Sequence, residues 1–263
     1  MKTIPGVYQG LWRRRVLETP EGVDRDTAVY WLQTNLLYAD IRIPAGRRRR
    51  LRPANAFGLL ARQQGFAGVL EVEGDVLHWR RWLDFQPPGA LDIGRVRFEG
   101  DVLIEEGVNA EYREEWERLC PPGDDRLALS LEIEHYSNGC PLKRAGVLVA
   151  IDGYFMFALA RRSALPAAMD LAALMDGGRY SPEARRGFLD CGIEFGLRHA
   201  DGHWEVRLST LPHHEGLGFD RLHGRWQQDG PEHYEQASPC GARRRWRVVE
   251  RGAGFRGLPA TTR

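Results

Sequence analysis

The sequence predicts an all-β protein whose antiparallel strands close into a barrel, as two lobes or as one large barrel, with two short helices. Three observations predict it. Apolar and polar residues alternate with period two, as in Leu37, Ala39, Ile41 and Ile43 against Tyr38, Asp40 and Arg42, or Leu127, Leu129, Leu131 and Ile133 along a later run. Tight turn sequences separate paired runs: Glu73-Gly74-Asp75, Glu99-Gly100-Asp101, Asp152-Gly153 and Ala200-Asp201-Gly202. The strand candidates number about a dozen or more, and closing such a sheet removes exposed edges.

The elements follow in order. Tyr8–Glu18 reads as a first strand. Thr27–Pro44 reads as two strands with a turn near Asn35. Pro44–Pro53, with its run Arg47-Arg48-Arg49-Arg50, reads as a solvated loop. Asn55 can cap a helix over Ala56–Gln64 with Phe57, Leu60 and Ala61 on one face, ended by Gly65. Hairpins then span 66–85 and 93–106. In 112–119, Tyr112, Glu114, Trp116 and Arg118 alternate with Arg113, Glu115 and Glu117, although periodicity alone leaves helix and strand open there. Pro121-Pro122-Gly123 marks the boundary between a first lobe, 1–120, and a second, 126–250. The second lobe carries strands over 127–136, 145–151, 154–161, 191–199, 203–211 and 243–250, and a helix over Pro166–Met175. Residues 251–263 read as a flexible tail.

Composition excludes several classes. The chain is 43% hydrophobic and 28% charged, which speaks against disorder, and its formal charge of +1 gives no pull toward nucleic acid or anionic lipid. Lys2 and Lys143 are the only lysines. No aromatic residue interleaves the arginine run, as a single-strand binder would need. No window approaches the ~20 apolar residues of a membrane span. Cys120, Cys140, Cys191 and Cys240 lie far apart, which fits neither a disulfide framework nor a zinc ribbon and suits a reducing cytoplasm.

Gly10-Leu11-Trp12 on the first strand resembles the Gly-x-Trp opening of lipocalin-like (calycin) barrels. In those barrels the tryptophan plugs one end beneath an arginine from the last strand, so the resemblance implies a partner at Arg245 or Arg247. The tandem layout and Tyr38-Ala39-Asp40-Ile41-Arg42 resemble the Hri1-like family, built of two lipocalin-like barrels. The resemblance implies a fold and no activity.

Four groups carry candidate chemistry. Tyr38, Asp40 and Arg42, with Trp31 and Gln33 nearby, form a polar face that either lines a barrel or meets solvent. A guanidinium there could hold a carboxylate or phosphate. Arg80, Trp82 and Asp84 alternate with His78 on one face of another strand, opposite Trp79, Arg81, Leu83 and Phe85, and Asp92 could join the same rim. His199 and His203 flank a turn, and His213-His214-Glu215 follows Pro212. Imidazoles beside a carboxylate are zinc-site ingredients, but the spacing fits no closed metal motif, so no metal and no cofactor is expected. His213 and Glu215 remain as ligand contacts on a rim loop. Ser209 beside these histidines lacks the nucleophile elbow of a hydrolase.

The expected function is a cytoplasmic protein that binds a partly apolar, anionic small molecule inside a β-barrel. The expected partner is that molecule, with neither nucleic acid nor membrane, and a homodimer stays open. Two alternatives stand beside it. One is an enzyme on the same barrel using Asp40 or Asp84 with a histidine, and the other is a protein-interaction surface with no cavity.

Overall fold

The alternation of Leu37, Ala39, Ile41 and Ile43 with Tyr38, Asp40 and Arg42 requires a separate cover for each face of one strand, and the chain supplies both. A computed structural model describes residues 2–50, 56–89, 91–175 and 178–259. The first half runs β1 (Gly10–Thr19), β2 (Gly22–Asp24), β3 (Ala28–Gln33), β4 (Tyr38–Ile43), α1 (Ala45–Arg50), α2 (Ala56–Leu60), β5 (Gln64–Glu73), β6 (Val76–Asp84), β7 (Asp92–Glu99), β8 (Val102–Gly107) and β9 (Arg113–Cys120). β1 and β3 to β9 pair in chain order, and β9 pairs back onto β1, which closes an eight-stranded antiparallel barrel. β2 extends the β1 edge as a short hairpin.

The second half runs β10 (Arg126–His135), β11 (Pro141–Leu142), β12 (Gly146–Ile151), β13 (Tyr154–Leu159), α3 (Leu171–Met175), α4 (Pro182–Leu189), β14 (Gly192–Arg198), β15 (Trp204–Ser209), α5 (Phe219–His223), β16 (Arg225–Asp229), β17 (His233–Ala237) and β18 (Arg243–Arg251). Its sheet is open, a half-barrel in the order β15-β14-β13-β12-β10-β18-β17-β16.

The aliphatic face of β4 meets this second sheet. Leu37, Ala39, Ile41 and Ile43 share one core with Val147, Val149, Ile151, Met156, Ala158, Ile193 and Phe195, and Tyr30 stacks on Phe195 at 4.3 Å. Gly65 on β5 lies at the seam, where a Cβ would stand 2.8 Å from the Asp40 carbonyl oxygen and 2.9 Å from Ile193 Cδ1. The polar face of β4 turns into the barrel. The opposite face of the second sheet holds its own core, with Phe155, Phe157, Trp204, Phe219 and Trp246.

Several expectations change. The stretch after Pro44 forms α1, and Arg47 is buried, donating from Nη2 to the Ser209 carbonyl at 2.8 Å and to Glu215 Oε1 at 2.7 Å. The side chains of Arg48, Arg49 and Arg50 and the expected cap Asn55 lie outside the described residues. Gly65 belongs to β5, so α2 ends earlier, at Leu60. The second expected helix shortens to Leu171–Met175, and α4, capped by Ser181 Oγ, and α5 were not foreseen. Residues 252–256, read as part of a flexible tail, are tied down: Gly252 and Gly254 donate to the Arg126 and Asp124 carbonyls, and Arg256 Nε reaches Asp125 Oδ2 at 2.8 Å, while 260–263 lie outside the described residues. Among the described residues no helix is long and apolar enough to cross a membrane.

Candidate functional site

The barrel interior has two halves of different chemistry. One end is floored by aromatic and aliphatic groups: Trp12 stacks on Trp31 at 5.9 Å, and Trp31 meets Trp79 and Trp116 edge-on, above Leu77, Val96 and Leu103. The guanidinium of Arg118 on the closing strand stands 4.6 Å over the Trp12 ring. Arg245 and Arg247, the expected partners, lie on β18 of the other sheet and pair with Glu132.

The other half is charged. Arg42 Nε donates to Asp40 Oδ1 at 3.0 Å, and its Nη1 reaches Glu114 Oε1 at 3.3 Å. Arg14 Nη1 donates to the same Glu114 oxygen at 2.7 Å and its Nη2 to Asp24 at 2.8 Å. On the facing wall Glu105 accepts from Tyr112 Oη at 2.7 Å and Trp116 Nε1 at 3.1 Å. Gly94 makes room for it, since a Cβ there would sit 2.7 Å from Glu105 Cγ. Burial pushes the Asp40 carboxyl up to about 6, with Arg42 pulling it down and Glu114 pushing it up. Burial, Glu114 and Asp92 hold Glu105 well above the usual carboxyl range. The Tyr38 hydroxyl is fully buried and, among the described residues, has no hydrogen-bond partner. Burial, opposed by Arg81 and reinforced by Asp92, Asp40 and Asp84, keeps that phenol protonated.

A cavity of about 360 Å³ opens beside this half, lined by Trp79, Arg81, Trp82, Asp84, Leu91 and Asp92 among others. Arg81 lies 3.7 Å over the Phe66 ring, pairing with Asp84 at 2.6 Å and Asp92 at 2.5 Å. Arg42 approaches the same ring at 5.2 Å, and Tyr38 meets it edge-on. A β-bulge shapes this mouth. The register shifts between Ala67 and Gly68, so Ala67 faces Leu83 while Gly68 faces Arg81, and Trp82 is the extra residue. Arg81 and Asp84 therefore reach each other, whereas strict alternation sets them on opposite faces.

The sequence candidates are thus divided. Trp31, Tyr38, Asp40 and Arg42 line the barrel together, and Asp84 and Asp92 join at the mouth. Gln33 is consumed by structure, donating to the Thr34 and Leu37 carbonyls and accepting from Trp31 Nε1. Arg80 pairs with Glu71 in solvent, and both it and the exposed Trp82 line the outer edge of the cavity. His213 and Glu215 lie in the turn after β15 of the other sheet, far along the chain from this mouth, with Glu215 held by Arg47 and the Ser209 amide. Arg14, Glu105, Glu114 and Arg81 were not singled out. For Glu114 a signal existed, since it alternates with Trp116 and Arg118.

A larger cavity, about 630 Å³, lies at one end of the second sheet among Arg198, His199, His203, Trp204 and Arg256. Its buried carboxylate, Asp125, is already taken by Arg198 at 3.0 Å and Arg256 at 2.8 Å. Elsewhere on that sheet Glu194, from β14, is flanked by two imidazoles. His214 Nδ1 lies 2.5 Å from Oε1 and His223 Nε2 lies 2.7 Å from Oε2. Burial alone would raise this carboxyl, but His223 and His214 hold it at about 2.

The chain matches no family model, no curated protein and no solved structure.

Proposed function

We propose that the protein is a cytoplasmic binding protein whose first, lipocalin-like barrel takes a small, partly apolar molecule bearing a cationic group. The charge balance of the barrel's polar half carries this reading. Around the polar half stand Asp40, Asp84, Asp92, Glu105 and Glu114 with Arg14, Arg42 and Arg81, five carboxylates against three guanidiniums, and of these Asp84, Asp92 and Arg81, together with Arg80, line the cavity itself. Burial, Glu114 and Asp92 raise the Glu105 carboxyl, and without counting it the acids still exceed the bases. An anion, the sequence-based expectation, would enter against that excess, whereas an amine would reduce it. Pockets of this size take small ligands through apolar walls and a few fixed polar groups, and Trp79, Trp82 and Leu91 supply the apolar wall. Cation–π attraction to such indoles adds about 0.5–2 kcal/mol.

Arg81 occupies the position the ligand's cation would take, between Asp84 and Asp92 and over Phe66. Its side chain is 30% exposed against 14% and 17% for Asp84 and Asp92, so a ligand ammonium would replace both of its ion pairs. The Tyr38 hydroxyl behind it, without a hydrogen-bond partner among the described residues, has an oxygen that can accept from an ammonium. An acid–base enzyme is less well supported, because Asp40 and Asp84 pair with arginine and His78 points to Glu73 outside the barrel. Four free cysteines suit the cytoplasm.

Native mass spectrometry of undenatured protein tests the reading. Retention of a small amine, lost in the Asp84→Asn/Asp92→Asn variant and kept in Arg245→Ala, supports it. Retention of an anion, or of nothing by protein that also ignores added tryptamine, sinks it.

A further inference from the structure

We propose that Glu194, His214 and His223 form a site for a divalent first-row transition ion of the zinc class, bound by one carboxylate and two imidazoles with a further position open. This site is on the second sheet and independent of the barrel ligand. Three separate elements converge: Glu194 from β14, His214 from the 3-10 turn Pro212–His214, and His223 from the end of α5. One ligand atom from each lies within 4.8 Å of the other two.

The neighbours of Glu194 distinguish it from the other buried acids that form ion pairs, whereas Glu105 is met by Tyr112 and Trp116. Asp40 and Glu114 pair with arginines in the barrel, Glu134 with Arg144 and Arg244, Asp125 with Arg198, and Glu250 with Arg126. In this arginine-rich chain Glu194, fully buried, is met by imidazoles alone among its ion pairs. Imidazole is the cation partner that is also a metal ligand when neutral. One carboxylate and two histidines is a donor set that zinc and other first-row ions take with a position left for water or substrate.

The surroundings fix one side of the site and leave the other adjustable. His223 is packed against Phe157 and Phe219 at 4.2 and 4.5 Å, and its carbonyl accepts from Gln236 Nε2 at 2.7 Å. Gly224 follows at φ 77°, where a Cβ would stand 2.0 Å from the Ala237 carbonyl oxygen, so the chain after His223 has one course. His214 sits in a three-residue turn with its side chain 17% exposed, which gives an ion a way in. At metal–ligand bonds of about 2.0–2.1 Å, tetrahedral donor atoms lie about 3.3 Å apart. The present 2.5 and 2.7 Å contacts, made to the two different carboxylate oxygens, would open by less than an ångström, and ligand atoms that now lie up to 4.8 Å apart would close by at most about 1.5 Å, an adjustment that falls to the His214 turn. On binding, each imidazole presents a lone pair where an N–H now meets the carboxylate. A neutral ring moves that proton to its other nitrogen, and a charged ring releases one to solvent.

The test titrates chelator-treated full-length protein with zinc sulfate against a chromogenic chelator, and with cobalt(II) for its visible spectrum. One ion per chain is expected, with tetrahedral or five-coordinate cobalt bands. His214→Ala should weaken zinc by more than about 100-fold, beyond the 10–100-fold typical of losing an outer partner. His199→Ala, at the exposed turn of the other histidine pair, should leave affinity unchanged. Circular dichroism of the metal-free His214→Ala protein confirms that it is folded. Absence of stoichiometric binding overturns the proposal, as does binding indifferent to His214→Ala or equally lost in His199→Ala.

Discussion

Arg42 and Asp40, two residues apart on one strand, form an ion pair at 3.0 Å inside the barrel, with the Asp40 carboxylate almost wholly removed from water. An adjacent pair on an outer face would contribute little. Here each charge is held by further partners, so the pair sets the chemistry of the interior.

Asp40 should give the protein a specific pH dependence. Its carboxyl titrates at about 6 when folded against about 3.8 when unfolded. Between these values the folded state binds more protons, so stability falls as pH rises from about 4 to about 6. At about 1.4 kcal/mol per unit the full effect is about 3 kcal/mol. Urea unfolding from pH 4 to 7 should show a more gradual decline in Asp40→Asn than in the wild type, and parallel curves would contradict the assignment.

Glu114 joins Arg14 and Arg42 through one oxygen, and both the Glu114 and Arg14 side chains are nearly inaccessible. Glu114→Ala should lower stability by about 3–5 kcal/mol, because two guanidiniums lose a shared counter-charge in a buried setting. Denaturant midpoints at pH 7 measure it, and a change below about 1 kcal/mol would place the network in solvent.

The stack of Arg118 on Trp12 closes the apolar end of the barrel. Trp12→Ala should cost about 3–5 kcal/mol by opening a cavity. Arg118→Ala should cost about 0.5–2 kcal/mol. Arg245→Ala should leave stability within about 0.5 kcal/mol, as for an ordinary surface change. An Arg245→Ala loss exceeding that of Arg118→Ala would reverse the reading.

Gly68 is required by the bulge. A Cβ there would stand 2.0 Å from the Arg80 carbonyl oxygen, a backbone atom that cannot step aside. Gly68→Ala should destabilise by more than about 2 kcal/mol, the strained-backbone range, and shift the emission of exposed Trp82. An unchanged melting curve would show that the β5–β6 register tolerates a side chain.

These residues also show how far the sequence could be read. Period-two alternation makes the two faces of β4 legible, because a buried sheet fixes side-chain direction through one number. The bulge at Trp82 defeats the same rule on β6. It reverses the parity of Asp84, and nothing local in the sequence marks it except a glycine on the partner strand. The lipocalin resemblance puts the arginine over Trp12 on the final strand of the chain, but the barrel closes at β9, and closure depends on long-range pairing that a linear pattern does not encode. Glu194 and His223 lie 29 residues apart and meet only because α5 folds across the second sheet. His214 was visible as one of a histidine pair, but its partners were not.

The account rests on the excess of acid in the polar half of the first barrel. Isothermal titration of tryptamine and indole-3-acetate, matched in aromatic bulk and opposite in charge, tests it most directly at pH 7. Tryptamine should bind with one site per chain, weaken at least about tenfold in Asp84→Asn/Asp92→Asn, and leave indole-3-acetate without measurable heat. Tighter binding of indole-3-acetate, or no binding of either, would contradict the account.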